Sequence, residues 1–349
     1  MEAHFFSPLA ESSSLRLSVR DASEVGEARR RAVILATELG FVEAANARLA
    51  LVISELATNL IKHGGGGDLL LMRYRQPGAV GAVPGIGVLA LDKGRGMAHL
   101  PSCMRDGYST AGSLGVGLGA IARMSAQLDI YTRPDAGTAA FALLWGNASG
   151  NVTLPDTLGA LGVISLPKLG QQVCGDTWSW RSVGAELQLL LVDGLGYGPN
   201  AASTSAVAAQ FFRQTRERAP AAVLEQMHAA LRSTRGAVAA LAAFDPDTRR
   251  LSYAGVGNIA GQASLDGRRR HLLSVDGTLG YQARLFRSTD HVLDRPGLLV
   301  MSSDGLSTRL SLDAYPGLQS HAPALIAGVL YRDFHRDNDD ATIAVARFA

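Results

Sequence analysis

The chain has 349 residues, which at roughly 150 residues per domain makes about two domains; 47% hydrophobic and 18% charged residues support two buried cores and exclude a wholly disordered chain. Lys+Arg at 33 against Asp+Glu at 31 leaves a formal charge of +2, so the charge balance points neither to nucleic acid nor to an acidic membrane as the main partner. Two cysteines, Cys103 and Cys174, exclude a disulfide framework and a Cys-rich zinc site, while 39 glycines predict many tight turns or loops where backbone approaches a ligand.

The start, Met1-Glu2-Ala3-His4-Phe5-Phe6, has neither a basic n-region nor a long apolar stretch, so no signal peptide is expected. No run reaches the roughly 18 apolar residues that a membrane span needs, which makes a cytoplasmic protein the expectation. No short-period repeat is visible, which argues against solenoids and propellers. Helices are predicted over Glu24–Leu39 and Glu43–Lys62, the second from the helical spacing of Leu49, Val52, Ile53, Leu56 and Leu60. Strand-like runs follow at Leu69–Tyr74, Ile86–Leu91, Leu128–Thr132 and Thr138–Leu144, with a helix over Ala120–Gln127. Two helices against a mostly antiparallel sheet form an α+β layer. Gly146-Asn147-Ala148-Ser149-Gly150-Asn151 reads as a linker, placing one domain over 1–146, a connection over 147–157 and a second domain over 158–349. The second half shows strand signals at Gln188–Val192, Val238–Phe244, Arg250–Gly255, Leu298–Met301 and Thr342–Arg347, with helices near Ser203–Arg218, Ala221–Ser233 and Ala322–Phe334.

Three pieces of the first half suit a nucleotide. Glu55, Asn59 and His63 lie at i, i+4 and i+8 on one polar helix face. A carboxylate and an amide one turn apart suit Mg²⁺, which takes few protein oxygens and keeps its waters; the same spacing also suits a solvated face, and His63 suits a helix-end cap or packing role better than a ligand role. Asp92-Lys93-Gly94-Arg95-Gly96-Met97 follows an apolar strand, where a carboxylate can accept from an exocyclic amine such as adenine's and glycines let backbone pass a base; a surface turn fits equally. Gly112-Ser113-Leu114-Gly115-Val116-Gly117-Leu118-Gly119 leads into a helix and can present N–H groups to phosphate. No Gly-Lys-Ser/Thr occurs, which excludes a P-loop, and Ala122 and Arg123 stand where a dinucleotide-binding run needs its last glycine.

In order and spacing these pieces resemble the N-box, Asp-x-Gly-x-Gly box and Gly-x-Gly-x-Gly lid of the GHKL ATPase superfamily over most of residues 15–145, and within it the RsbT/RsbW-like serine kinases of anti-sigma and stressosome switches. The resemblance implies a Bergerat-type α/β sandwich that uses ATP and Mg²⁺ for phosphoryl transfer to a protein hydroxyl. It assigns Glu55 as general base, Asn59 to Mg²⁺, Asp92 to adenine, Gly94, Gly96, Gly115, Gly117 and Gly119 to the base and phosphate sites, and Thr138, after Gly137, to a place beside Asp92. No phospho-accepting histidine box precedes this half, which argues against a sensor histidine kinase.

Acidic residues of the second half sit at strand ends beside glycine: Gly175-Asp176, Asp193-Gly194, Ser303-Asp304-Gly305 and Asn338-Asp339-Asp340-Ala341-Thr342. One Asp-Gly is ordinary turn chemistry, but four carboxylates delivered to one edge repel each other and are compensated by hard divalent cations. An EF-hand is excluded, because the Asp337–Asp340 run lacks its glycine and terminal Glu. With their flanks, among them Val192-Asp193-Gly194-Leu195-Gly196-Tyr197-Gly198 and Ser252-Tyr253-Ala254-Gly255-Val256-Gly257-Asn258, these segments resemble the SpoIIE/RsbX branch of the protein phosphatase 2C (PPM) superfamily over about residues 160–348. The resemblance implies an α-β-β-α sandwich holding two Mn²⁺ or Mg²⁺, with Asp176, Asp193, the Gly194 carbonyl, Asp304 and Asp339 as ligands, Asp193 bridging both ions, and Asp339 preferred over Asp340. Asp176 and Asp193 thereby serve catalysis through a metal-activated water. Thr177, Trp178 and Ser179 follow Asp176 where many relatives carry a further acidic residue, and the phosphate-binding Arg and general-acid His of some larger relatives have no identifiable counterpart.

Together the resemblances imply a bifunctional regulator of a bacterial partner-switching pathway, kinase and phosphatase in one chain, acting on a STAS-domain anti-sigma antagonist or stressosome-type protein of a sigma-factor pathway. Dimerisation is left open. Two alternatives stand beside it: a phosphatase whose ATP-binding half only senses nucleotide or docks a partner, and a non-enzymatic anti-sigma module.

Overall fold

The computed structural model describes residues 9–10, 13–76, 83–104, 117–147, 161–265 and 268–348. The chain divides into two compact units: an N-terminal one of Ser14–Leu154 with Tyr315–Arg332, and a C-terminal one of Pro155–Ala314 and Asp333–Ala349 with Met1–Ser13. A single cut at residues 147–157 does not describe this division, because Tyr315–Arg332 counts with the N-terminal unit.

The N-terminal unit starts with a strand that the sequence did not signal, β1 (Leu15–Val19). Asp21 then caps α1 (Ala22–Glu38): its side chain accepts from the Ser23 amide, and Glu24 completes a capping box. α2 (Glu43–Gly64) ends where Gly65 turns left-handed at φ 68°. β2 (Gly67–Arg75), β3 (Pro84–Leu91), β4 (Gln127–Thr132) and β5 (Thr138–Trp145) join β1 in one five-stranded sheet of order β1-β2-β3-β5-β4, antiparallel throughout. Two short helices, α3 (Leu100–Cys103) and α4 (Gly117–Met124), precede β4. The expected helix over Ala120–Gln127 is corrected here: it starts at Gly117, and Gln127 already pairs with Leu143 as the first residue of β4.

Leu69, Leu71, Ile86, Val88, Ala140 and Ala142 face the helices, where they join Leu49, Val52, Ile53 and Leu56 in one core. Their strand neighbours on the other face, including Leu70, Met72, Tyr74, Leu89, Phe141 and Trp145, are buried too. Strands buried on both faces read as continuous apolar runs, which is why β2, β3 and β5 were legible without alternation. The segment Tyr315–Arg332 explains part of that second burial, for a Cβ built on Gly328 would meet Leu89 at 3.0 Å. Asp129 on β4 anchors the segment: it accepts from the Ala322 amide at 2.7 Å and lies 2.7 Å from His321 Nδ1.

The C-terminal unit holds β6 (Leu161–Leu166), β7 (Asp176–Val183), β8 (Glu186–Gly194), α5 (Pro199–Gln214), α6 (Pro220–Ala230), β9 (Ala237–Asp245), β10 (Arg250–Val256), β11 (Ala260–Leu265), β12 (Arg268–Leu272), β13 (Thr289–Val292), β14 (Gly297–Ser302) and β15 (Ala341–Phe348). They form two five-stranded sheets, β13-β10-β9-β8-β7 and β12-β11-β14-β15-β6. Trp178, Leu189, Leu191, Tyr253, Met301 and Ala344 share the core between the sheets, with Phe244 stacked on Phe348 at 4.4 Å. α5 and α6 cover the outer face of the first sheet through Ala208, Phe212, Val223, Leu224 and Met227. This is the α-β-β part of the expected sandwich. α7 (Pro323–Phe334) is buried from Pro323 through Arg332, and those residues count with the N-terminal unit. No described helix is long and apolar enough to cross a membrane.

Gly96 shows how tightly the turn after β3 is built: its φ is +62°, and an added Cβ would lie 1.9 Å from the Arg133 carbonyl oxygen. Gly96→Ala is expected to lower stability by about 2 kcal/mol or more, read by chemical denaturation. An unchanged midpoint would show that the turn is laxer than this.

Candidate functional site

The carboxylates of the C-terminal unit converge because of strand register. Asp176, the first residue of β7, lies directly opposite Asp193 near the end of β8. In the other sheet, Asp304 follows β14 and Asp339 precedes β15, which are neighbouring antiparallel strands. Asp193, Asp304 and Asp339 line one cavity of about 590 Å³, together with Lys168, Tyr197, Asn258 and Asp276. Asp176 is 5% exposed and stands behind this cavity wall, not among its lining residues.

A hydrogen-bond chain holds the two sheets in register at the site. Ser303 Oγ donates to Asp176 Oδ2 at 2.7 Å and accepts from the Thr342 amide at 3.0 Å, while the Thr342 hydroxyl lies 2.9 Å from that of Ser165. Asn258 Nδ2 donates to Asp304 Oδ2 at 2.8 Å, which orients that carboxylate. Asp340 behaves differently from Asp339. It is 3% exposed, and its two oxygens accept from the Lys168 amide at 2.7 Å and the Gly175 amide at 2.9 Å. Asp340 therefore ties loops together, and Asp339 faces the cavity. Gly305 lets Asp304 approach this tie, since a Cβ there would lie 1.9 Å from the Asp340 carbonyl oxygen.

Electrostatics mark the cluster as strained without a cation. Burial, then the charges of Asp176, Asp304, Asp339 and Asp340, push Asp193 up. Burial pushes Asp176 up as well, against the Ser303 hydrogen bond and with the Asp340 and Asp304 charges adding to it. Asp304 is raised by burial and by Asp339, and Asp340 by burial in spite of its two backbone donors. Among the described residues, no three His, Cys, Asp or Glu side chains are grouped so as to hold a metal ion. A hard cation of the Mg²⁺ type binds through one or two carboxylates and keeps several waters instead of entering an all-protein cage. The all-oxygen donor set and the suppressed ionisation of Asp193 fit such an ion. Lys168 and Asp276 were not found from the sequence, since neither sits in a patterned run, and only the Asp276-Gly277 dipeptide offered a weak turn-like signal; Tyr197 stood in the Val192–Gly198 run without a role assigned to it.

In the N-terminal unit, α2 carries Glu55 and Asn59, both half-buried, and exposed His63 in its last turn. Asp92 follows β3, and its Oδ1 accepts from the Gly94 amide at 2.9 Å and the Thr138 amide at 3.1 Å, which leaves Oδ2 for a further donor. Burial raises Asp92, and these two hydrogen bonds oppose the rise. The Thr138 hydroxyl lies 3.1 Å from that of Thr132, which accepts from the Met97 amide at 2.8 Å and so fixes the Gly94–Gly96 turn. The end of α2 abuts this turn: a Cβ on Gly64 would meet the Asp92 Cβ at 2.6 Å. Glu55 thus stands about 13 Å along the helix axis from the Asp92 end. His63 Nδ1 has Arg95 Nη2 at 3.5 Å, and partial burial plus the Arg95 and Lys62 charges keep its ring neutral to lower pH. Gly117 and Gly119 lie within the first turn of α4, not ahead of it, and Gly115 with the rest of 112–116 lies outside the described residues.

Both halves of the chain resemble known proteins. The Stage II sporulation protein E (SpoIIE) family matches residues 184–349. The chain is 31% identical over 122 residues to the serine/threonine-protein kinase RsbT of Bacillus subtilis, covering 35% of this chain and 89% of RsbT. It is 24% identical over 160 residues to the phosphoserine phosphatase RsbX of the same organism, covering 46% of this chain and 77% of RsbX. A solved structure from work on the bacterial stressosome as a modular system adapted to control secondary messenger signalling aligns with TM-score 0.51 and 25% identity, over 54% of this chain and 99% of that one. The chain therefore carries a domain of the SpoIIE/PP2C phosphatase class with homology to RsbX. It belongs to the family of RsbT.

The raised carboxylates make stability depend on pH in a definite direction. The native state keeps Asp176 and Asp193 protonated above their ordinary value of 3.8, where the unfolded chain has already released those protons. Native protein thus binds more protons, and stability falls as pH rises from about 4 through neutrality. Protein stripped with EDTA is expected to melt at lower temperature at pH 8 than at pH 5, saturating Mn²⁺ to reverse the loss, and Asp193→Asn to flatten the slope. A melting temperature that ignores both pH and Mn²⁺ would contradict the electrostatic account.

Proposed function

We propose that this chain is a bifunctional partner-switching regulator. Its C-terminal unit removes phosphate from phosphoserine or phosphothreonine of a STAS-domain partner with two Mn²⁺ or Mg²⁺, and its N-terminal unit is a GHKL-type serine/threonine kinase using ATP and Mg²⁺. The observation that carries the phosphatase reading is that Asp193, Asp304 and Asp339 line one cavity, with Asp193 pushed up first by burial and then by its neighbouring carboxylates. The match to RsbX supports it.

Asp193, Asp304, Asp339 and the Gly194 carbonyl would hold the cations, with Asp176 behind them. Bound there, divalent ions supply a nucleophilic water at neutral pH and positive charge for the phosphoryl oxygens. The chain's own part is orientation. Asn258 holds Asp304, Ser303 holds Asp176, and Asp340 fixes the loops of Lys168 and Gly175. In the N-terminal unit, Oδ2 of Asp92 would accept from the adenine amine, Asn59 would hold Mg²⁺, and Glu55 would take the proton of the acceptor hydroxyl. The identity to RsbT supports this half, together with the preset hydrogen bonds of Asp92 to Gly94 and Thr138.

One observation favours a second reading, in which the nucleotide half serves as a sensor. Arg332 Nη1 donates to the Asp92 carbonyl oxygen at 2.9 Å, so the strand end at the proposed adenine site is tied to a helix that continues toward Asp339 in sequence. Glu55→Ala separates the readings: ATP binding is expected to persist while phosphorylation of a STAS protein, followed by mass spectrometry, disappears. If wild-type protein and Asp193→Ala both leave the STAS protein unmodified with ATP and Mg²⁺, the kinase half of the proposal fails.

On the phosphatase side, Asp193→Asn and Asp304→Asn are expected to lower kcat on a phosphoserine peptide with Mn²⁺ by about a hundredfold or more. Retention of wild-type turnover by either variant would remove the cavity from the reaction.

A further inference from the structure

The 590 Å³ cavity is acidic, with Asp193, Asp276, Asp304 and Asp339 among its lining residues, and one cation lines it among the described residues: Lys168. A phosphoryl dianion entering such a space needs positive charge beyond what the carboxylates absorb from their cations. Lys168 is placed for this from two sides. Its amide donates to Asp340 Oδ1 at 2.7 Å, which fixes the backbone just beyond β6. Its ammonium stands over the ring of Tyr197, 4.3 Å from the centroid. Tyr197 lies on the turn between β8 and α5, four residues after Asp193, so the strand that delivers the central carboxylate also delivers the platform for the lysine.

The ammonium forms no ion pair with any carboxylate of the described residues, although four line the same space; its charge reaches Asp340 only as a minor pull that lowers that carboxyl. A lysine kept for neutralising the cluster would pair with it at close range. An ammonium parked on an aromatic face keeps all three N–H donors for a ligand, because the ring attracts the charge without accepting strong hydrogen bonds. The ring also limits where a flexible four-carbon side chain can go, which lowers the entropy lost when a ligand arrives.

We propose that Lys168, steadied over Tyr197, is the phosphate-binding residue of the C-terminal site and takes a non-bridging oxygen of the phosphoryl group. The proposal rests on the phosphatase reading for its substrate class. It adds no covalent step; the lysine binds and orients.

The test uses full-length protein loaded with Mn²⁺ and the variants Lys168→Gln, Lys168→Arg, Tyr197→Phe and Tyr197→Ala. Three quantities are read: KM and kcat on a phosphoserine peptide, the dissociation constant of inorganic phosphate by calorimetry, and the Mn²⁺ concentration for half-saturation. Lys168→Gln is expected to raise KM and weaken phosphate binding about tenfold or more, with Mn²⁺ half-saturation unchanged. Lys168→Arg recovers part of the loss. Tyr197→Phe, which keeps the ring face, matches wild type, and Tyr197→Ala weakens phosphate binding about threefold. Phosphate binding that ignores Lys168→Gln overturns the proposal, and so does a loss matched by an equal loss of Mn²⁺ affinity, which would make the lysine a partner of the carboxylates. Wild-type protein that hydrolyses no phosphoserine peptide removes the phosphatase reading alone, since calorimetry with inorganic phosphate still decides for or against Lys168; wild-type protein that binds no phosphate removes the lysine assignment.

Discussion

The C-terminal unit is organised around an electrostatic conflict: carboxylates that repel one another are delivered to one end of two packed sheets. Pairing of β7 with β8 puts Asp176 opposite Asp193, and pairing of β14 with β15 brings Asp304 and Asp339 to the same end. Burial disfavours their charges first and the neighbouring carboxylates add to the penalty, while hydrogen bonds from Ser303 to Asp176 and from Asn258 to Asp304 offset part of it. Such an arrangement persists only where surrounding structure enforces it. The Ser303–Thr342–Ser165 hydrogen bonds, the two amides spent on Asp340 and the glycine at 305 are that enforcement. A divalent cation bound there would turn the same repulsion into coordination.

The N-terminal unit solves a milder version of this problem. A half-buried carboxylate, Asp92, is raised by desolvation, but two backbone amides meet one of its oxygens and leave the other available. The end of α2 and the Gly94–Gly96 turn pack so closely that side chains larger than glycine do not fit at several points. Rigid backbone around one free acceptor is what recognition of an amine edge requires.

Legibility of the fold in the sequence followed burial. β2, β3, β5, β8, β9 and β14 are apolar almost throughout, and their runs stood out. β12 and β13 are edge strands with mostly exposed side chains, Arg268-Arg269-Arg270-His271 in one of them, and polar edges carry no hydrophobic pattern. β7 was hidden because Trp178-Ser179-Trp180-Arg181 mixes types: Arg181 leaves the strand to bond the Phe212 and Thr215 carbonyls at 2.6 Å, closing the end of α5. The helix 323–334 was visible as a helix, but its membership of the N-terminal unit was not, since apolar residues all round a helix say that it is buried and not against what. At the site, glycine beside aspartate at strand ends made the carboxylates readable. Lys168 and Asp276 were not, because a single charged residue acquires meaning only when folding brings it to the cavity.

The central claim, that repulsion among these aspartates is resolved by a cation, is tested most directly by a crystal grown with Mn²⁺ and measured at the manganese absorption edge. The account predicts anomalous density in the cavity within bonding distance of Asp193, with Asp304 or Asp339 as a further ligand. A Mn²⁺-saturated crystal with no anomalous density at Asp193 would contradict it.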